Sequence, residues 1–176
     1  DYNYGGLSTG FIKTLSVVRS TQGCANFRPG LAMYFYRRYG KPGGVVLDPS
    51  AGYGGRLVGW VASQLKGRYI GIDPNTVTQA NNLALAKGLG VDKQVTLITV
   101  PFEDTKLTSK VDFVFTSPPY FDRERYSDES TQSCVRYKTI EDWTDGFLLP
   151  LCKKSCGALK PGGIFAINIA DISGKN

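Results

Sequence analysis

The chain predicts a doubly wound α/β domain built on a parallel sheet. Three observations carry that expectation. Short, continuously apolar runs alternate with helical stretches, a glycine-rich turn joins the first run to a helix, and the strongest run stops at two consecutive prolines. Central parallel strands are buried on both faces and therefore read as β-rich runs rather than as alternating ones. Val45-Val46-Leu47, Tyr69–Asp73, Val95–Val100, Val111–Phe115 and Ile164–Ile169 are five such runs. Helical crossovers between them require right-handed connections.

Residues 1–26, rich in Gly, Ser and Thr, read as an arm with a short strand or helix at Phe11–Val18. Residues 27–176 then form the domain. Pro29 suits a first helical turn and Gly40 a helix end, so LAMYFYRRYG is helical, with Leu31, Met33, Tyr34 and Phe35 supplying an apolar face. After the first strand comes DPSAGYGGR, Asp48 to Arg56, and a helix over LVGWVASQL. Gly52 and Gly54 permit tight turning and close approach of a ligand, and Gly55 permits helix–strand packing. Asp48 either caps that helix or faces whatever lies over the turn. Asp73 ends the second strand about twenty residues beyond the glycines, where a carboxylate reaches the two hydroxyls of a ribose.

A helix over Asn75–Gly88 follows, with Leu83 and Leu85 among its apolar positions, and the third strand runs into Pro101-Phe102-Glu103-Asp104. The fourth strand, in VDFVFTSPPY, must turn at Ser117-Pro118-Pro119-Tyr120, because neither proline has an N–H for a ladder. A hydroxyl, a rigid backbone with free carbonyls and an aromatic ring at a strand's carboxyl end suit a planar amine. Residues 121–139 lack periodicity; Arg123, Arg125, Arg136 and Lys138 there either contact phosphates or sit on a solvated loop among acids. Ile140–Leu159 is a helix kinked at Pro150, and Lys160–Gly163 a turn before the last strand. Phe102 is poised between core and pocket, while Trp60 and Trp143 read as core.

Twenty-one Lys and Arg against fifteen Asp and Glu give +6, compatible with a polyanionic partner. Four cysteines at no zinc or disulfide spacing read as reduced, pointing to the cytoplasm, and no metal site is expected. The absence of histidine removes the commonest general base. No run approaches the ~18 apolar residues of a membrane span. A chain that does not open on Met is expected to be a fragment of a longer one.

DPSAGYGG after a first strand, Asp73 after a second and TSPPY after a fourth resemble the S-adenosylmethionine-dependent methyltransferases that modify exocyclic amino groups of DNA bases. LKPGGIFAINI resembles the same fold, and the likeness runs from Phe27 to Ala170. It implies a Rossmann-like class I methyltransferase sheet of bacterial or phage origin, S-adenosylmethionine as cofactor, and double-stranded DNA with a flipped base as partner. DNA methylation of the restriction-modification kind is the implied setting. Ser-Pro-Pro-Tyr favours cytosine N4, Asp-Pro-Pro-Tyr adenine N6; RNA guanine and protein glutamine enzymes use related loops, and an inactive nucleic-acid-binding module is a further alternative. By the resemblance, Ser117, Pro118, Pro119 and Tyr120 are catalytic, and Tyr120, Phe121, Arg123 and Arg125 bind the substrate. Asp48, Pro49, Ala51, Gly52 and Gly54 hold the methionine side, Asp73 the ribose, Phe102 and Glu103 the adenine, and Phe27 and Pro29 close the site. That fold finishes with two further strands, which the sequence does not supply; exposed sheet edges then favour a homodimer.

Overall fold

The computed structural model describes residues 26–121 and 124–169. The expected arm, with its element at Phe11–Val18, and the candidate phosphate contact Arg123 lie outside the described residues, apart from Asn26. Five parallel strands form one sheet: β1 (Val45–Asp48), β2 (Arg68–Ile72), β3 (Val95–Ile98), β4 (Val111–Thr116) and β5 (Leu159–Ile167), in the order β3-β2-β1-β4-β5. The order reverses between β1 and β4, and there the crossovers leave on opposite sides of the sheet and open a crevice above the carboxyl ends.

Alternate side chains supply two cores. Val46, Tyr69, Phe113 and Phe115 point to one, with Leu57 and Trp60; Leu47, Ile72 and Val114 point to the other, with Phe102, Trp143 and Phe147. The turn expected at Lys160–Gly163 is absorbed into β5 instead. Val111 pairs with Leu159 but Phe113 with Ile164, so these residues form a bulge in which Gly162 takes φ +76°.

Helix α1 (Pro29–Tyr39) begins at Pro29, and the Gly40 amide donates to the Tyr36 carbonyl at 2.8 Å to end it. Its buried face is Ala32 and Tyr36; Leu31 and Tyr34, expected to point inward, are 45% and 58% exposed. The reason lies in α2 (Gly55–Ser63). A Cβ on Gly59 would sit 2.5 Å from the Ala32 Cβ and 2.7 Å from the Pro29 carbonyl oxygen, so the helices meet at small residues and the bulky ones turn aside. Gly59→Ala is expected to force α1 and α2 apart at a cost of about 1–3 kcal/mol. Urea unfolding measures this, and an unchanged midpoint would contradict the close approach.

In α3 (Thr76–Gly88) the inward face is polar. Asn75 caps the helix by accepting from the Thr78 amide at 2.9 Å, and Leu83 is exposed. Gln79 donates to the carbonyls of Gly71 (3.1 Å) and Ile98 (2.9 Å), and Asn82 to that of Gly52 (2.8 Å). The helix faces strand ends and a loop, whose carbonyls need donors more than hydrocarbon.

After the short α4 (Ser133–Arg136), the helix expected from Ile140 breaks earlier than Pro150. It runs as α5 (Ile140–Trp143), a π turn over Thr144–Leu148, and α6 (Leu149–Ala158). Pro150 has no N–H to return to Gly146, whose carbonyl accepts the Tyr137 hydroxyl at 2.8 Å. No described helix is long and apolar enough to cross a membrane.

Candidate active site

A cavity of about 320 Å³ opens above the crevice, and segments following all five strands line it. Pro49–Tyr53 come from beyond β1, Asp73–Asn75 from β2, Pro101–Glu103 from β3, Ser117–Tyr120 from β4 and Asn168 from β5. The glycine turn and the Pro-Pro turn, 64 residues apart between Tyr53 and Ser117, therefore share one space.

Asp48 is not part of its wall. Its carboxylate is fully buried beneath the turn, accepting from Arg56 Nε at 2.7 Å, the Tyr69 hydroxyl at 2.7 Å and the Ser50 amide at 3.3 Å. Arg56, itself 4% exposed, also donates to the Ser50 carbonyl, and the Phe27 ring lies 5.3 Å from its guanidinium. Burial pulls the Arg56 guanidinium down, but the adjacent Asp48 charge and hydrogen bond outweigh this and hold it above its ordinary value. Burial, then Asp48, pushes the Tyr69 phenol well up. The acid at the end of β1 is thus the knot that shapes the turn. Gly54 is likewise turned away from the cavity: φ is +80°, and a Cβ there would meet Asn82 Oδ1 at 2.6 Å. Gly52, at φ +54°, has no neighbour among the described residues nearer than 3.9 Å to an added Cβ and leaves the floor open.

Asp73 borders the cavity and accepts from the Gly52 amide and the Asn75 amide, each at 2.9 Å. Burial pushes its carboxyl above the usual carboxylate range, with the two amides offsetting part of the rise. Phe102 is 1% exposed, built into the core while its edge borders the cavity. Glu103, also raised by burial, sits at the wall with Arg136 Nη1 at 2.9 Å and the Tyr137 hydroxyl at 3.0 Å. Burial and then the Glu103 charge take the Tyr137 phenol up to about 12.

The segment from Glu124 to Tyr137, read from sequence as phosphate contacts or a solvated loop, crosses the cavity as a strap. Glu129 accepts from the Thr76 amide (3.3 Å) and hydroxyl, Tyr126 leans on Tyr53 at 5.7 Å, and Arg136 bonds Asp104 at 2.8 Å. Gln132, 6% exposed, faces the cavity with its Nε2 lacking any partner among the described residues. A buried amide donor without an acceptor is costly, and a water or ligand oxygen in the cavity would satisfy it.

Ser117, Pro118, Pro119 and Tyr120 all border the cavity, and Ser117 Oγ accepts from Asn168 Nδ2 at 3.0 Å. Phe27, Pro49 and Ala51 are also in its wall. Pro29, Phe121 and Arg125 are not. Pro29 opens α1 against Gly59, Phe121 packs on Trp143 at 6.2 Å, and Arg125 pairs with Asp128 at 2.6 Å. Tyr53, Asn75, Thr78, Gln132 and Asn168 were not singled out from sequence. Asn168 carried a weak signal, standing at the carboxyl end of an apolar run as Asp73 does.

No family model and no curated protein matches the chain. Solved structures do match in fold. They include S-adenosylmethionine-dependent methyltransferases from Geobacter sulfurreducens (20% identity, 88% of this chain and 54% of that one, TM-score 0.56) and Thiobacillus denitrificans (20%, 88% and 54%, TM-score 0.57). Both were crystallised with S-adenosyl-L-homocysteine. The glycopeptide N-methyltransferase MtfA, complexed with sinefungin, matches at 18% identity over 82% of this chain and 54% of its own, TM-score 0.56. The chain spans about half the length of these structures and carries the Rossmann-like class I methyltransferase fold.

Proposed function

We propose that the chain transfers a methyl group from S-adenosylmethionine to the exocyclic amino group of a DNA base flipped out of the duplex, cytosine N4 in preference to adenine N6. The observation that supports this reading is the single cavity shared by the glycine turn and Ser117–Tyr120. The open floor over Gly52, the Asp73 carboxylate and the orphaned Gln132 Nε2 fit a nucleoside-bearing cofactor. Bound there, it supplies a sulfonium methyl that is already electrophilic.

The chain's own residues then deal with the nucleophile, whose lone pair is delocalised into the base. Ser117 Oγ and the Pro118 carbonyl accept its N–H bonds, favour a tetrahedral nitrogen and aim it at the methyl. The amine's proton would leave to water once the nitrogen carries the methyl, so no histidine is needed. Tyr120 stacks against the flipped ring. Asp73 accepts from the ribose hydroxyls.

Incubation with methyl-labelled cofactor and duplex DNA, followed by nucleoside mass spectrometry, is expected to yield N4-methylcytosine. Label confined to RNA or to protein glutamine, or no label at all, overturns the assignment.

Asp73 adds a pH test. Ribose hydroxyls bind its ionised form, so cofactor affinity is expected to weaken as pH falls through its raised pKa. Asp73→Asn flattens the profile. Stability runs the other way: a carboxyl raised in the folded state contributes fully below its unfolded value of ~3.9 and loses that contribution as pH rises through the folded value. Calorimetry across the range reads both, and a wild-type affinity independent of pH removes Asp73 from the ribose.

A further inference from the structure

We propose that the exposed stripe of α1 is the surface that grips the DNA phosphate backbone beside the cavity. The inference rests on the methyl-transfer reading for its partner, but on separate residues for its argument.

The excess charge is not spread along the chain. Residues 1–47 hold six basic side chains and a single acid, Asp1, whereas residues 48–176 hold fifteen basic against fourteen acidic. Arg28, Arg37, Arg38 and Lys41 are all exposed, and no carboxylate pairs with the three arginines among the described residues; Lys41, 73% exposed, lies 3.9 Å from Asp112. Arg28, Leu31, Tyr34 and Arg38 follow helical spacing along one face. Arg28 and Leu31 border the cavity, so the stripe begins at its mouth and leads outward.

Ten residues of helix span ~15 Å, about four nucleotides of one strand at ~3.4 Å each. The arginines match that run of phosphates in sign, and exposed Leu31 and Tyr34 offer apolar contact to sugars or to an unstacked neighbour of the flipped base. The strap, the alternative from sequence, has committed two of its arginines: Arg125 to Asp128, Arg136 to Glu103 and Asp104. The helix beside the mouth is the better-suited element.

Anisotropy of a fluorescein-labelled DNA duplex, titrated with protein and salt without cofactor, tests the proposal. The Arg28→Gln/Arg38→Gln double variant is expected to bind several-fold more weakly, with the log–log salt slope shallower by about two. Arg125→Gln should leave the slope as it is. Both altered positions of the double variant are exposed, and circular dichroism confirms that it folds. An unchanged slope in the double variant, an equal loss in Arg125→Gln, or tighter binding of RNA or of anionic vesicles than of DNA overturns the proposal. Nucleoside analysis separates it from the catalytic reading. Slope loss with no methylated base in the wild type upholds the stripe and removes methyl transfer; methylated DNA with an unaltered double variant does the reverse.

Discussion

Asp48→Ala is expected to lower the unfolding free energy by about 3–5 kcal/mol, the range for removing one member of a buried ion pair. The substitution strips Arg56 of its carboxylate at 2.7 Å while leaving the guanidinium 4% exposed, and it also releases the Tyr69 hydroxyl. An uncompensated buried cation is more costly than a lost contact, so the damage comes chiefly from what remains. Adding Arg56→Met to Asp48→Ala should therefore recover part of the loss, giving a double variant less destabilised than the two singles sum to. Urea unfolding of the four proteins closes the cycle. A purely ligand-contacting Asp48 predicts another pattern: weaker cofactor binding in Asp48→Ala with an unmoved unfolding midpoint. Additive losses would likewise dissolve the pair as a unit.

That knot explains why the acid in DPSAGYGG misleads when read alone. Its partners lie eight and twenty-one residues downstream, on α2 and β2, and only the closed sheet brings them under one carboxylate. Local signals served well elsewhere. Apolar runs gave the strands because burial on both faces leaves a mark in every residue, and Pro118-Pro119 marked the exit of β4 because a missing N–H acts at its own position. The inward face of α1 was not legible, since Gly59 on another helix decides it. Gln132 and the strap were hidden for a similar reason: Pro74 and Thr76 after β2, and Glu103 after β3, hold that segment from two other parts of the chain. The bulge in β5 follows from pairing with β4, which no single-strand pattern encodes.

Ser117→Ala is expected to lower kcat about 10²-fold, comparable with removing one oriented hydrogen-bonding group at a reacting centre. The side chain leaves the core undisturbed, and the cofactor's dissociation constant should stay as it is, because Asp73, Gly52 and Gln132 sit on other walls. The loss belongs to the nitrogen's change of geometry, so it appears in kcat rather than as uniform binding. Asn168 donates to the same Oγ at 3.0 Å and, on the proposed reading, acts by orienting it. Asn168→Ala should therefore fall less, about tenfold or ~1.4 kcal/mol, and should fall no further when Ser117 is already alanine. Tyr120→Ala separates stacking from orientation by raising KM for DNA more than it lowers kcat. Single-turnover rates with saturating cofactor distinguish these cases. If Ser117→Ala keeps the full rate, or if its defect disappears at higher cofactor concentration, the hydroxyl is not what aims the amine.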